Sequence, residues 1–286
     1  MAVSETVKFA AEIRITTLET LGAFGSGHIG GAMSICDVLA VLYGVSHEVG
    51  DIGELRHDAA NPKWEQRDRL VLSKGHAGPA LYSALALRGF FPREWLKTLN
   101  VGGTSLPSHC DMTKTPGVDM TTGSLGQGMS TAIGIALGAR LNSWDSYTYL
   151  ILGDGECDEG QVWEGAIFAP HYKLSNLIAF VDNNKKQLDG TTDEVMYLGD
   201  LGAKFAAFGW FTQIVDGHDV DAIKTAIGAA KKQDERPSAI ILDTIKGYGC
   251  TFAENAVSNH SMTCSPEDVE TAIAAIRAKI AEVANV

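Results

Sequence analysis

Short runs rich in isoleucine, leucine and valine alternate with helical segments between residues 70 and 243. The predicted strands are Leu70–Ser73, Thr148–Leu152, Leu177–Asp182, 210–215 and 238–243. The predicted helices between them are 77–88, 159–172, 201–207 and 219–232. Continuous apolar runs are typical of strands that are buried on both faces, as in a parallel sheet. The alternation therefore predicts an α/β fold, a doubly wound and mostly parallel sheet with helices on both faces.

Further helices are predicted on either side of this region. Apolar residues recur at helical spacing over 4–24 and 34–43. The segment Ser265–Asp268 carries a capping serine, a proline at the first helical position and an acidic residue three positions after the cap. These features predict a last helix over about 265–285. The polar stretch 46–69 is expected to form an exposed loop, and it is unusually long for a bare connection.

Composition and charge exclude several classes of function. The 286 residues carry 23 Lys and Arg against 35 Asp and Glu, a net charge of −12, which argues against a protein that binds nucleic-acid phosphates. No apolar run reaches the length of about 20 residues that a membrane helix needs, and the N-terminal segment lacks the apolar core of a signal peptide. Five scattered cysteines without a C-x-x-C motif indicate free thiols in a reducing compartment, so we expect a cytoplasmic protein.

A glycine-rich turn, Gly153-Asp154-Gly155, follows one predicted strand, and the next strand ends in Asp182-Asn183-Asn184. The two glycines let the backbone approach a phosphate, and the helix that begins after the turn offers free N–H groups. Ligands in such folds bind beyond the carboxyl ends of the strands, so Asp154 and Asn184 are expected to lie close together. One carboxylate, one amide oxygen, a backbone carbonyl and phosphate oxygens would form a magnesium site.

A second glycine pattern, Gly25 to Gly30, matches the G-x-G-x-x-G fingerprint of dinucleotide-binding proteins. That fingerprint functions only when a strand precedes it, because the strand aims the following helix at the pyrophosphate. Here a long amphipathic helix precedes it, so we reject a nicotinamide-dependent oxidoreductase.

The G-D-G-E motif at Gly153–Glu156, followed after about thirty residues by Asn184, resembles the thiamine diphosphate signature. The flanking sequence resembles transketolases. Further segments resemble the family in the same order: Gly27–Gly30, Leu72–Ala77, Ser108-His109, Thr121–Gly128, Lys246–Gly249 and His260. Ile29 and Ser124 stand where proline is usual in the family, which affects loop rigidity but removes no reactive group.

The resemblance implies roles for particular residues. The implied metal ligands are Asp154, Asn184 and the main-chain carbonyl of Lys186. The implied cofactor contacts are His76, Gly123, Leu125, Gly155, Asn184 and His260. The implied catalytic side chains, which would face the sugar and handle its protons, are His28, His109 and His260, with His76 beside them. Glu159 resembles the carboxylate at the family's subunit interface, whereas His47, His57, His171 and His218 are expected to have ordinary solvated or core roles.

Only 26 residues follow His260, too few for the pyrimidine-binding domain that carries the family's activating glutamate. We therefore interpret 1–286 as a single diphosphate-binding domain and predict one subunit of a split transketolase, with a separate C-terminal subunit in an α₂β₂ assembly. The implied reaction moves a two-carbon ketol unit from a ketose, a sugar phosphate by family analogy, to an aldose. It uses thiamine diphosphate and Mg²⁺, or Ca²⁺ or Mn²⁺ in its place. The alternatives are a 1-deoxyxylulose-phosphate synthase, a 2-oxo-acid dehydrogenase E1 component and a non-catalytic cofactor-binding relic.

Overall fold

A computed structural model describes residues 4–44 and 53–284 of the chain. Its strands are β1 (Ser26–Gly27), β2 (Arg69–Leu72), β3 (Thr148–Gly153), β4 (Leu177–Asn183), β5 (Phe211–Asp216), β6 (Ser238–Asp243) and β7 (Met262–Thr263). Its α-helices are α1 (Glu5–Phe24), α2 (Gly30–Met33), α3 (Cys36–Tyr43), α4 (Gly78–Leu87), α5 (Gln127–Leu141), α6 (Gly160–His171), α7 (Thr192–Val195), α8 (Leu201–Ala207), α9 (Val220–Ala230) and α10 (Pro266–Ala284). Short 3₁₀ turns lie at Gly75–Ala77, Arg93–Thr98 and Gly155–Asp158.

The main sheet has five parallel strands in the order β2-β3-β4-β6-β5. Gly153 of β3 pairs with Asp182 of β4, and Asn183 of β4 pairs with Asp243 of β6. This register brings the carboxyl ends of β3, β4 and β6 to one edge of the sheet. The residues that follow each strand, among them Asp154 and Asn184, therefore emerge side by side.

Helices cover both faces of the sheet. One buried cluster packs α1, α3, α4, α9 and α10 against one set of strand side chains, including Ile151 and Phe180. A second cluster packs α5, α6 and α8 against the alternate set, including Leu152 and Val181. Because alternate residues of a strand point to opposite faces, this division confirms the doubly wound α/β fold.

The predicted elements agree with the structure to within one or two residues at most ends, and the last helix begins at Pro266 with the Asp268 N–H donating to the Ser265 hydroxyl at 3.2 Å. Several parts of the fold were not predicted, namely α5, the one-turn helices α2 and α7, and the small antiparallel pair β1–β7. The polar stretch 46–69 is only partly within the described residues, and its described part is not exposed throughout. Asp68 is buried there and accepts the N–H groups of Arg56 and Tyr147.

The Gly25–Gly30 pattern follows α1 and contains the two-residue strand β1, which lies outside the parallel sheet. The dinucleotide interpretation therefore lacks its structural context here as well. Of the helices in 4–44 and 53–284, none combines the length and apolar character that crossing a bilayer requires.

Candidate functional site

A cavity of about 270 Å³ opens at the edge of the sheet where β2, β3, β4 and β6 end. Its lining includes all the site residues predicted from the sequence, namely His28, His76, His109, Gly123, Leu125, Asp154, Gly155, Asn184, Lys186 and His260. It also includes polar residues to which the sequence assigned no role, namely Lys74, Glu156, Gln187 and Lys246. The predicted residues thus lie together, although they come from loops up to 232 positions apart (260 − 28).

Asp154 is a buried carboxylate at the end of β3. One oxygen accepts the Gly155 N–H at 2.7 Å, and the other accepts the Lys185 N–H at 2.5 Å. Burial and the neighbouring Asp182 raise the pKa of Asp154 to about 7. Asp154 forms no ion pair within the described parts of the chain, and its charge is offset by two backbone N–H groups and by the nearby Lys74 ammonium. Such a group favours a bound cation.

The amide of Asn184 is oriented by Asp182. Its Nδ2 donates to Asp182 Oδ2 at 2.8 Å, which leaves Oδ1 as the oxygen that is available to a ligand. Oδ1 also accepts the Lys186 N–H at 3.1 Å. A carboxylate, an amide oxygen and the Lys186 carbonyl are all hard oxygen donors, so the residues present fit a small divalent cation. Over the described ranges, no group of three or more His, Cys, Asp or Glu side chains is arranged to hold a metal.

A buried ion pair supports this edge from beneath. Lys74 Nζ contacts Asp182 Oδ2, and both side chains are almost fully inaccessible. Asp182 also accepts hydrogen bonds from Ser34 Oγ at 2.7 Å and Thr244 Oγ1 at 2.5 Å. Although burial acts to raise the pKa of Asp182, the Lys74 ammonium lowers it overall. The carboxylate is therefore ionised and ties three loops together.

Four histidines surround the mouth of the cavity. The ring centroid of His28 lies 5.6 Å from that of His76, 5.4 Å from that of His109 and 5.3 Å from that of His260. Burial and neighbouring positive groups lower the pKa of His28 and His76, and lower the pKa of His260 to about 4. These three rings are therefore neutral near pH 7, so each can donate one hydrogen bond and accept another.

Lys246 reaches the cavity from the loop after β6. Its Nζ lies 3.1 Å from the Lys186 carbonyl oxygen, 3.0 Å from the Gln187 carbonyl oxygen and 3.3 Å from His260 Nδ1. Burial and the Lys74 charge lower the pKa of Lys246 to about 8. Lys246 stands in a segment that resembles the family, but the resemblance assigned it no role. An ammonium group that faces the candidate metal site is suited to bind a phosphate oxygen.

The loop that carries Gly123 and Leu125 is fixed by close packing. A side chain at Gly123 would bring its Cβ to 2.9 Å from His109 Cδ2, and the φ of Gly123 is +137°. The buried carboxylate of Glu156 accepts the N–H groups of Gly126 at 2.8 Å and Gly153 at 3.0 Å. Glu156 thereby joins this loop to the end of β3. No sequence motif pointed to that role.

The remaining predicted residues have varied positions. Glu159 is exposed at the start of α6, as an interface residue would be. Ile29 is fully buried in the core, and Ser124 is exposed, so neither departure from the family pattern removes a group from the cavity.

The four histidines that were predicted to be ordinary also differ from one another. His47 lies outside the described residues. His171 is exposed, and His57 stacks on Phe90 with its ring beside Tyr43. His218 forms hydrogen bonds through both ring nitrogens, which is neither a solvated nor an apolar environment.

Comparison with known proteins gives the family. Residues 5–280 match the family profile described as transketolase, thiamine diphosphate binding domain. The chain is 52% identical over 262 residues to a 6-deoxy-6-sulfo-D-fructose transketolase subunit of Clostridium sp. (strain MSTE9), covering 92% of each chain. It is 36% identical over 255 residues to one of the subunits of the apulose-4-phosphate transketolase of Phocaeicola vulgatus, covering 89% of this chain and 88% of that one.

A solved structure agrees with these relatives. A transketolase variant from Pichia stipitis superposes with a TM-score of 0.87 at 34% identity, over 97% of this chain and 41% of the other. The fold, the matched family over nearly the whole chain and the likeness to separate transketolase subunits all agree. The chain belongs to the transketolase family, as its thiamine diphosphate-binding domain.

Proposed function

We propose that this chain is the cofactor-binding subunit of a split transketolase, which transfers a two-carbon ketol unit from a ketose to an aldose. The observation that carries the proposal is the meeting of Asp154, Asn184 and four histidines around one cavity. The size of its relatives supports the split arrangement. The two transketolase subunits described above are of similar length to this chain, whereas the Pichia stipitis enzyme is more than twice as long.

Asp154, Asn184 and the Lys186 carbonyl would hold Mg²⁺, and Ca²⁺ or Mn²⁺ could take its place. The Gly155 N–H, His76 and Lys246 would contact the diphosphate of thiamine diphosphate, because they line the same cavity and are donors. Gly123 and Leu125 would contact its ring systems. When bound, the cofactor supplies the carbanion-stabilising chemistry of ketol transfer.

His28, His109 and His260 would contact the sugar, and they would move protons between its hydroxyl groups and solvent. The neutral rings of His28 and His260 can accept a proton from a donor hydroxyl and return it to an acceptor carbonyl oxygen. Removing the His260 ring is expected to lower the turnover rate more than it lowers cofactor affinity.

Exposed apolar residues at the rim of the cavity favour a surface that a partner subunit covers. Leu188 lines the cavity yet is 59% exposed, and Val195, Met196 and Tyr197 just along the chain are also exposed apolar residues. We propose that a C-terminal subunit, which carries the pyrimidine-binding domain and the activating glutamate, covers this rim in an α₂β₂ assembly. Glu159, exposed at the start of α6, would couple neighbouring active sites.

The donor is proposed to be a ketose with an anionic terminal group. The 52% identical relative is named for a sulfonated fructose, and the 36% identical relative for a sugar phosphate. Their likeness to this chain supports both classes and favours a sulfonate. We propose a cytoplasmic location, which agrees with the five buried, free cysteines of the described residues.

The test is an assay of this chain, alone and with its partner subunit, in the presence of thiamine diphosphate and Mg²⁺. We expect ketol transfer from 6-deoxy-6-sulfofructose or fructose 6-phosphate to an aldose phosphate, and only with both subunits present. Ketol transfer by this chain alone would contradict the split arrangement. Turnover of pyruvate but not of ketoses would indicate a 1-deoxyxylulose-phosphate synthase or an E1 component, and cofactor binding without turnover of any donor would indicate a relic.

A further inference from the structure

The loop that carries Lys246 into the cavity is held on its outer side by His218. The backbone N–H of Ile245, the residue before Lys246, donates to His218 Nε2 at 3.0 Å. His218 lies just after β5, the neighbour of β6, so the bond joins the loops of two adjacent strands. A side chain far from the cofactor cavity therefore contacts the peptide next to a residue that lines it.

The hydrogen bonds of His218 define the state of its ring. Because Nε2 accepts the Ile245 N–H, it carries no proton, and the ring proton must be on Nδ1. Nδ1 lies 2.8 Å from Asp37 Oδ2, so it donates to that carboxylate. The ring is thus a neutral imidazole of one defined tautomer, since a proton on Nε2 would oppose the Ile245 N–H.

A buried ion pair and an aromatic stack hold this ring in place. Arg14 contacts both carboxylate oxygens of Asp37, with Nη1 3.1 Å from Oδ1, and both side chains are almost fully buried. The ring of Tyr248 stacks on that of His218 with centroids 3.6 Å apart and an interplanar angle of 14°. The guanidinium of Arg14 lies 4.9 Å from the centroid of the same tyrosine ring. The ring that accepts the Ile245 N–H is therefore held by a carboxylate on its edge and by an aromatic ring on its face.

The backbone on the other side of Lys246 is also fixed. Asn259 Nδ2 donates to the Lys246 carbonyl at 2.9 Å, and the Gly247 N–H donates to the Gly30 carbonyl at 3.0 Å. The contacts made by Asn259 and Gly30 involve segments that carry His260 and His28 at the cavity itself. The contact made by His218 connects the loop to α3 and α1, because His218 binds Asp37 of α3, and Asp37 pairs with Arg14 of α1.

We propose that His218, held by Asp37 and Arg14, is a positioning residue that sets the place of the Lys246 ammonium in the cofactor cavity. The inference rests on the proposed cofactor site and extends it to a residue outside the cavity. If the Ile245 N–H loses its acceptor, the loop loses the contact that fixes the peptide before Lys246. The Lys246 Nζ would then lie farther from the edge of the cavity where the diphosphate is proposed to bind.

Two variants of His218 separate this role from simple packing. His218→Gln places an amide oxygen near the present Nε2 and keeps an acceptor for Ile245, whereas His218→Asn keeps only a donor near Nδ1 for Asp37. We would measure the affinity for thiamine diphosphate with Mg²⁺ by titration calorimetry in the presence of the partner subunit, with each variant made in the wild-type and the Lys246→Met backgrounds. Amide exchange of Ile245 reports the hydrogen bond directly.

We expect His218→Asn to weaken cofactor binding about tenfold and to speed amide exchange at Ile245, since one backbone hydrogen bond is lost. His218→Gln should stay within about threefold of wild type by the same reasoning. In the Lys246→Met background, His218→Asn should have an effect of less than about twofold, because the two residues act through one contact. An equal loss in both backgrounds, or wild-type affinity in His218→Asn, would overturn the proposal.

A second readout keeps the test independent of the cofactor site. The rate at which an amine reagent labels Lys246 at one fixed pH reports whether its Nζ still lies in the cavity, and peptide mass spectrometry can measure it. Faster labelling in His218→Asn than in His218→Gln and wild type supports the positioning role even if the wild-type chain binds no thiamine diphosphate. Absence of binding in the presence of the partner subunit would overturn the proposed cofactor site instead, and unchanged labelling would overturn the positioning role.

Discussion

Replacing Asp182 by asparagine tests how much the buried Lys74–Asp182 ion pair contributes to the stability of the fold. The wild-type carboxylate is fully buried and accepts hydrogen bonds from Lys74, Ser34, Asn184 and Thr244. Asparagine keeps one acceptor oxygen but places an NH₂ group among these donors. It also leaves the Lys74 ammonium, which is almost completely buried, without its counter-charge.

The expected loss in the free energy of unfolding follows from the burial of the Lys74–Asp182 pair. Removing one partner of a buried ion pair costs about 3–5 kcal/mol, because the remaining charge is left desolvated. With an unfolding entropy of about 2.1 cal/mol/K per residue, this loss lowers the melting temperature by about 5–8 °C for a chain of this size. The matched control is Asp243→Asn at the end of the neighbouring strand β6. The ion pair of Asp243 with Lys185 is about half exposed, so we expect a change below about 1 kcal/mol.

The assay is thermal and urea unfolding, followed by circular dichroism, on wild type, both single variants and the double variant Lys74→Met/Asp182→Asn. Because the double variant removes both charges of the Lys74–Asp182 pair, it should recover at least half of the stability that Asp182→Asn loses. The reasoning is refuted if Asp182→Asn unfolds like the Asp243→Asn control. It is refuted equally if the double variant is less stable than Asp182→Asn.

Two further predictions concern the metal site and its packing. The pKa of Asp154 is raised to about 7, and Mg²⁺ binds the ionised carboxylate. The affinity for Mg²⁺ should therefore be full above pH 7 and fall about tenfold per pH unit below it. Calorimetric titrations from pH 5.5 to 8.5 would check this, and an affinity that does not change with pH would contradict it. Gly30→Ala should lower the melting temperature and weaken cofactor binding, because the new Cβ would lie 2.3 Å from the Asn259 carbonyl oxygen. The control is Gly134→Ala in α5, whose Cβ would meet nothing within 4 Å and which should be neutral or stabilising. Equal melting temperatures for these two variants would contradict the prediction that the close contact at Gly30 destabilises Gly30→Ala.

Much of the fold could be predicted from local patterns. The strands β3, β4 and β6 contain continuous apolar runs of four or five residues with burial on both faces, which is the pattern of a central strand in a parallel sheet. Helix α5 was missed because its Gly- and Ala-rich sequence lacks the periodic contrast of an amphipathic helix. The β1–β7 pair was missed because each strand has two residues and they lie more than 230 positions apart (262 − 27 = 235). No local pattern encodes such a pairing.

The residues of the candidate site could likewise be predicted only in part. Asp154, Asn184 and the histidines could be identified because each stands in a motif whose residue type has a chemical purpose. Asp182 and Glu156 were missed because a buried carboxylate that organises other groups looks, in the sequence, like any acidic residue near a strand end. His218 was assigned an ordinary role because its partners, Asp37 and Ile245, lie 181 and 27 positions away.

The most direct test of the whole account is the binding of thiamine diphosphate, measured by calorimetry with Mg²⁺ or with a chelator, to the chain in the presence of its partner subunit. Wild type should bind only with the metal. Asp154→Ala and Asn184→Ala should each lose more than about a hundredfold in affinity, because each removes a direct metal ligand. The control Glu270→Ala, an exposed carboxylate in α10, should bind like wild type. Metal-independent binding, or full affinity in Asp154→Ala, would contradict the account.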